Sequence, residues 1–576
     1  IQLNRNSQAH FATTPTVNVG RSKFDRSFTH KTSFNAGDII PFYVDTTIMP
    51  GDTVKMNTAQ VVRMCTPITP VMDNANLDTY FFFVPYRLIW DHFKRFMGEN
   101  DTAPWAQTQE YEIPQISAPA STGWTKGSLA DYMGYPTKVP GWKGSALPFR
   151  AYAAIVNDWF RDENLKNPLY ISKGDSDVTG KDILDADLDP VTDIEAGACC
   201  YKAAKTFDYF TSCLPSAQKG PAVTIPLGSD APVRWETEGL NTAAFSKATD
   251  LDGKISAFSN SSSNVKAFYG MNDSLDTATI MSNENIGAYL ITDLSEAVGA
   301  TVNQLRQAFQ IQKFYEKQAL YGSRYIEMVK GHFGVTNPDF RMQRPEYLGG
   351  MRTPININQV VQTDATSQQL GGEYVEGTWT WNMSDLSPQG NTAAYSLTSG
   401  RNKDLFTHSF TEHGILMGLA VVRIAAHTYQ QGLNRQFMMK KFYDFYFPEF
   451  ANLGNQPVYN KEIYCQNDSV VDTDGKVVND KVFGYQEAYA HYRYFPDIVT
   501  GELRSNYDQS LDIWHWADYY ETLPQLGSDW IDEDKNNFAR TLAVQNHDQF
   551  WGDFYFQAIY TRPMPLYSVP GLIDHH

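Results

Sequence analysis

The sequence predicts a mainly β protein built as a large sandwich, and three observations carry that prediction. Residues 412–429 hold the longest mostly apolar run. Both of its alternation registers are apolar, with Ile415, Met417, Leu419 and Val421 on one and Leu416, Ala420, Val422 and Ile424 on the other. A strand reads this way when both faces are buried, although a buried helix segment gives a similar pattern. Gly414, Gly418 and the β-branched Val421, Val422 and Ile424 favour the strand. Second, short segments of partial alternation recur between turn signals, the pattern of a sandwich or barrel. Third, 42% of the 576 residues are hydrophobic and 19% are charged, a composition that can bury a core and is not that of a disordered chain. The apolar run is too short, and with Arg423 inside it too charged, to cross a membrane.

The chain opens with a polar, basic stretch over residues 1–37. Arg5, Arg21, Lys23, Arg26 and Lys31 face the single acid Asp25, with Phe11, Phe24, Phe28 and Phe34 interleaved. Cations for phosphates and rings for bases suit an arm that touches nucleic acid. An arm packed along a neighbouring subunit gives the same pattern, and the two readings are compatible. Strands are expected over 38–45, 53–65 and 76–85, the first two separated by the Pro50-Gly51 turn. Residues 148–165 carry Tyr152, Ile155, Val156, Trp159 and Phe160 at helical spacing, which predicts a helix packed on the sheet.

Residues 228–289 change composition to Ser, Asn, Asp, Thr, Gly and Ala, punctuated by Trp235, Phe245, Phe258, Phe268 and Tyr269. A structureless loop of that length is improbable inside a compact domain, so the stretch reads as an inserted knob projecting from the body. Thr301-Val302-Asn303-Gln304 fits a capping box, and a helix is expected from there to about Tyr321. Residues 470–478 read as a hairpin with an Asp-Gly turn, 483–494 as an aromatic strand, and 554–561 as a well-alternating strand.

The formal net charge of −18 argues against a general polyanion binder, so any contact with nucleic acid requires a local basic patch. Five scattered cysteines (Cys65, Cys199, Cys200, Cys213 and Cys465) predict free thiols in a reducing compartment. No secretory signal is visible near the first residues, where Asn4, Arg5 and Asn6 interrupt the apolar ones. Nucleophile-elbow, dinucleotide, Walker and zinc-protease motifs are absent. Cys199, Cys200 and Cys213 match no zinc spacing and are expected to be structural. Asp182, Asp185, Asp187 and Asp189 lack the order of a calcium loop and are expected to form a solvated loop. His413 and His427, which border the apolar run, are read as satisfied core or edge histidines, and the Trp514-His515-Trp516 triplet as packing. No catalytic residue, cofactor or metal is assigned.

Several motifs carry a resemblance. They are Phe24-Asp25-Arg26-Ser27 with His30 through Asp38, Leu77 through Trp90, Arg344 through Gly350, Glu412-His413-Gly414 and Thr428 through Leu433. Further along come Phe483 through Glu487, Tyr492-Arg493-Tyr494, Trp514-His515 and Met564 through Asp574. In that order they are similar to the major capsid proteins of gokushoviruses, small single-stranded DNA phages of the family Microviridae; residues 228–289 match by place alone. The resemblance implies an eight-stranded jelly-roll sandwich with large helical and loop insertions. It implies a structural protein, not an enzyme, that self-assembles into a T=1 icosahedral capsid around circular single-stranded DNA, in company with internal scaffolding, pilot and DNA-binding proteins. It places the chain in the virion, with assembly in the bacterial host cytoplasm. Residues 228–289 are then a threefold protrusion that meets a host surface receptor, with Trp235, Phe245, Phe258, Asn260, Phe268 and Tyr269 as contact candidates. Arg5, Arg21, Lys23, Arg26 and Lys31 become the DNA-contact candidates. The expected organisation is an arm (1–37), a first jelly-roll part with its helical excursion (38–227), the protrusion (228–289), and a second jelly-roll part with the C-terminal arm (290–576). The rival readings are a carbohydrate-binding or glycoside-cleaving jelly roll, and a phage fibre or decoration protein.

Overall fold

The computed structural model describes residues 20–99, 110–221, 223, 302–320, 325–334, 343–363, 390–452 and 454–567, with short strand backbones inside 233–292 and 366–387. The chain divides into two compact units, Gln218–Leu320 and the remainder.

The larger unit is mainly β. Its principal strands are β1 (Ser22–Asp25), β2 (Phe28–Phe34), β3 (Ile40–Ile48), β4 (Thr53–Met64), β5 (Ala75–Pro85), β6 (Glu346–Pro354), β7 (Thr398–Ser409), β8 (Gly414–Ile424) and β9 (Phe550–Arg562). They form two antiparallel sheets. In one, β1 and β2 lie in succession along one side of β9, whose other side pairs with β4, followed by β7. In the other the order is β6-β5-β8-β3. The expected strands over 38–45, 53–65, 76–85 and 554–561 are all present with shifted ends.

Aromatic rings weld the sheets together. Phe42 on β3 meets Phe554 and Phe556 on β9 at ring-centroid distances of 4.9 and 5.1 Å, and Phe81 on β5 lies 6.3 Å from Phe556. Such pairs add roughly 0.5–1.5 kcal/mol each beyond the area they bury. The β6-β5-β8-β3 sheet is covered on its second face as well, by helix α1 (Leu147–Ile155) and the turns around it. Tyr152 of α1 donates from its hydroxyl to the Ile39 carbonyl at 2.7 Å. Burial on both faces explains why both registers of β8 are apolar: every residue of the strand except Arg423 is buried. Gly418 is required there by close approach, since a Cβ would stand 2.9 Å from both the Phe81 ring and the Tyr43 Cβ. The other sheet keeps one face open, and β9 alternates accordingly, with Phe550, Phe554, Phe556, Ala558 and Tyr560 inward.

Three local expectations are revised. The helix expected over 148–165 holds α geometry only to Ile155 and then widens into a π turn over Val156–Phe160. Asn157 is drawn to Leu169 by two hydrogen bonds of 2.7 and 2.9 Å, and the widened turn lays Trp159 and Phe160 against Phe82. The hairpin at 470–478 is reduced to one bridge, Val471 to Val477, closed by turn hydrogen bonds to Asp472. The strand expected over 483–494 ends at Glu487, because Tyr489 takes φ +57° and the chain curls into a short 3-10 turn at Ala490–Tyr492.

In the smaller unit, helix α2 (Val302–Leu320) forms where the capping box predicts it, and Ala319 is its only buried residue among those described. Val233–Trp235 pairs with Leu290–Thr292, and Ser256–Ser259, Val265–Tyr269 and Ile280–Ser282 form a three-stranded sheet.

Candidate nucleic-acid interface and assembly surfaces

Arg5 and Phe11 lie outside the described residues. From Ser22 onward the basic stretch is no free arm: it is β1 and β2, hydrogen-bonded along β9. The pleat then sorts its side chains. Lys23 and Lys31 point from the open face of the sheet, and Arg21 is exposed at its end. Phe34 faces the core, Phe24 packs against it, and Phe28 lies 5.1 Å from Phe556, so these rings are engaged within the subunit.

Arg26, of the same basic set, is tied within the subunit. Its guanidinium donates to Asp45 Oδ2 at 2.6 Å and to Thr47 Oγ1 at 3.0 Å. The Arg26 and Arg562 guanidinium carbons each lie 4.7 Å from the Tyr560 ring centre. Tyr560 donates to Asp45 at 2.6 Å and its hydroxyl lies 2.6 Å from that of Tyr43, which completes a polar seam between the sheets. Burial alone would raise the Asp45 carboxyl, but hydrogen bonds from Tyr560 and Thr47 and the Arg26 charge together hold it below its ordinary value. Arg26 therefore closes the sandwich, and its charge is already matched.

Residues far away in the chain share the open face with Lys23 and Lys31. In register across β9 and β4, Trp551 pairs with Arg63, Asp553 with Val61, Tyr555 with Ala59 and Ile559 with Lys55, while Arg401 on β7 stands beside Ala59. The strand cations of this face are Lys23, Lys31, Lys55, Arg63 and Arg401 and its strand acids Asp25 and Asp553; Asp404 of the β7 bulge pairs with Lys55, and Lys126, Asp131 and Asp548 line the groove beside Arg63 and Trp551. Trp551 and Tyr555 are each 44% exposed. A shallow groove of about 520 Å³ runs between Tyr555, Arg401 and Thr29. Sequence reading did not single out Arg63, Arg401, Trp551 or Tyr555. The alternation of residues 554–561 was the available signal, since it marks one side of that strand as open.

A second surface is aromatic. Residues 435–450 wind through three short 3-10 turns and leave Phe437, Phe442, Tyr443, Phe445, Tyr446 and Phe447 exposed, Phe437 at 71% and Phe442 at 68%. Beside them a cavity of about 250 Å³ is lined by Tyr209, Arg435, Phe437, His491 and Ile498 among others. Arg435 pairs there with Glu462 at 2.9 Å. Burial, aided by Arg435, pushes the His491 imidazole down to about 4. Helix α2 also carries exposed rings, Phe309 and Phe314.

The other singled-out residues settle into structural roles. All five cysteines are free; Cys200 and Cys213 sit in separate hydrophobic clusters and Cys465 is exposed. The aspartate run is not simply solvated. Asp182 is buried and accepts from the Thr125 amide and hydroxyl at 2.8 and 2.9 Å, while Asp189 caps the turn at Pro190–Asp193. His427 is fully buried between carboxylates, with Nε2 3.1 Å from Glu533 and Nδ1 3.5 Å from Asp518, and Lys205 reaches Asp518 at 2.8 Å. Burial would lower the imidazole, but Glu533 and Asp518 outweigh it and raise it to about 10. Trp516 is buried, and a ring nitrogen of His515 lies 2.6 Å from the Leu503 carbonyl. Among the described residues no group of three or more His, Cys, Asp or Glu side chains is placed to hold a metal ion.

Of the protrusion candidates, Trp235, Phe258, Phe268 and Tyr269 lie on the short strands of the smaller unit. Phe245 and Asn260 fall outside the described residues.

Residues 12–572 match the model of the family described as "Capsid protein (F protein)". The chain is 39% identical to capsid protein VP1 of Chlamydia phage 1, over 98% of its own length and 97% of that protein's. It is also 39% identical to capsid protein VP1 of Bdellovibrio phage phiMH2K, over 98% of both chains, and 40% identical to that of Spiroplasma virus 4, over 94% of both. The gokushovirus motifs and these full-length likenesses agree, and the chain belongs to the phage capsid protein (F protein) family.

Proposed function

We propose that this capsid subunit closes into a T=1 icosahedral shell around circular single-stranded DNA, and that its sandwich is an eight-stranded jelly roll. The observation that carries the reading is strand order. With β1 and β2 taken as one bent strand, the sheets hold four strands each, in chain order first-eighth-third-sixth and fifth-fourth-seventh-second. Each sheet thus interleaves strands from both ends of the chain, as the double Greek key of a jelly roll does, a fold that manages sheet edges in capsids. The exposed rings at 437–447 support assembly, because exposed aromatic rings of this density are expected at contacts between subunits. The role is structural, without a catalytic step. Assembly takes place in the bacterial cytoplasm, with internal scaffolding, pilot and DNA-binding proteins as partners.

The expected domain plan belongs to the same proposal: an arm to residue 37, jelly-roll parts over 38–227 and 290–576, and the protrusion between. Residues 228–289 stand out at the threefold axes, where three copies share their rings and meet a host surface receptor through Trp235, Phe258, Phe268, Tyr269 and their neighbours. Arg5, Arg21, Lys23 and Lys31 turn to the packaged DNA, while Arg26, expected among them, is held by Asp45. Cryo-electron microscopy of purified particles tests the shell directly: icosahedral particles of sixty subunits are expected, and a stable monomer as the sole native species would refute it. Particles deleted for residues 235–285 test the protrusion. They are expected to assemble and to lose adsorption to host cells; failure to assemble would make the segment part of the core.

A further inference from the structure

The open face of the sheet carrying β9 has a composition unlike that of the chain as a whole. The chain is strongly acidic, yet the strands of this face present Lys23, Lys31, Lys55, Arg63 and Arg401 against Asp25, Asp553 and the Asp404 of the β7 bulge, with Lys126, Asp131 and Asp548 at the groove beside Arg63. Two of those cations have partial partners on the surface. Lys31 lies 3.9 Å from Asp553, and Lys55 lies 2.5 Å from Asp404 in the β7 bulge; both pairs are exposed, where water and salt weaken them. Among the cations stand two rings that no packing requirement explains. Trp551 and Tyr555 point away from the core on a strand whose inward positions are already filled by Phe550, Phe554 and Phe556. They are four residues apart on one face, so their Cα atoms are roughly 14 Å apart along the strand.

We infer that this sheet face is a stacking platform for single-stranded DNA, with Trp551 and Tyr555 taking unpaired bases and Arg63, Arg401, Lys31 and Lys23 taking the phosphates between and beside them. The inference rests on the reading that the shell encloses single-stranded DNA, and deepens it by naming the surface. Duplex DNA has its bases stacked within the helix and offers no free ring face, whereas an unpaired strand offers one at every nucleotide. A rigid sheet holds the two rings and the flanking cations in fixed register, so the strand is bound without sequence preference. Charge complementarity selects a polyanion as occupant over a second copy of this acidic chain.

The test uses the full-length protein and DNA-filled particles. A fluorescein-labelled oligodeoxythymidine is titrated with wild type, Trp551→Ala, Tyr555→Ala, Trp551→Phe, Arg63→Gln and Arg401→Gln across a range of salt concentrations. Each ring-to-Ala variant is expected to lose about five- to 100-fold in affinity with its salt slope unchanged, and Trp551→Phe to recover most of it. Each Arg-to-Gln variant is expected to flatten the slope of log K against log salt by about 0.7. Ultraviolet irradiation of particles is expected to leave nucleotide adducts on the peptide holding Trp551 and Tyr555. If wild type binds the oligonucleotide while the ring variants bind equally well and the adducts map elsewhere, this face is not the platform. If irradiation instead joins this peptide to a second subunit, the face is a protein interface and the inference fails. A wild type that binds no DNA, in particles that carry none against the shell, would overturn the underlying reading itself.

Discussion

At the scale of single residues, the consequential feature is a neutral cluster of buried charges. His427 and Lys205 face Asp518 and Glu533, with Tyr520 and Asn537 hydrogen-bonded to the same groups. Removing one member of such a set leaves its partners buried and unmatched, at a cost of about 3–5 kcal/mol. Denaturant unfolding of His427→Gln at neutral pH is expected to show a loss of that size. The pH dependence follows from the imidazole being raised from 6.5 to about 10 on folding. Its stabilising contribution is complete below about 6.5, where both states are protonated, and declines as pH rises toward 10. Wild-type stability should therefore fall by about one proton's linkage per pH unit across that window, and His427→Gln should lack the slope. Gly418 makes the opposite kind of prediction. A side chain there meets Phe42, Tyr43 and Phe81, so Gly418→Val should cost about 1–3 kcal/mol through overpacking, read as a lowered denaturation midpoint. Neither role was visible beforehand, because a histidine bordering an apolar strand looks the same whether its partners are carbonyls or carboxylates.

Among the elements, β8 and β9 were the most legible. β8 is apolar in both registers because α1 covers one side of its sheet and the partner sheet covers the other. β9 alternates because its sheet is covered on one side alone. Helix α2 was legible through the capping pattern in the sequence. The π turn after α1 was not, since its cause is Asn157 bonding to Leu169, a contact that periodicity does not encode. The shared face of Arg63, Arg401 and Trp551 was hidden for a similar reason: β4, β7 and β9 come from distant parts of the chain and meet only through register. The segment at 435–450 leads to a prediction about assembly. Its exposed rings contribute little to the fold of the free subunit, so Phe437→Ser with Phe442→Ser should leave the unfolding transition nearly unchanged. The same variant should lower the yield of particles in sedimentation, each ring being worth on the order of 2 kcal/mol at a contact.

For the molecule as a whole, thiol chemistry gives a simple global probe. Cys65, Cys200 and Cys213 are buried and Cys465 is exposed, so a thiol reagent should modify Cys465 rapidly in the native subunit and the buried three only on unfolding. Equal rates at all sites would mean that the packing around Cys200 and Cys213 is absent in solution. The sheet order has a further consequence for how the subunit is made. β9 lies between β2 and β4, so two strands from the beginning of the chain cannot complete their sheet until residue 562 has left the ribosome. Contacts of such sequence separation also form slowly. A polypeptide broken off before residue 550 lacks the strand that joins β1 and β2 to β4, and it presents unpaired edges to the cell's proteases and chaperones. The topology thereby makes β9 a checkpoint on translation: a chain that ends before it cannot complete the sheet, and such chains are expected to be cleared before they can leave a gap in a shell.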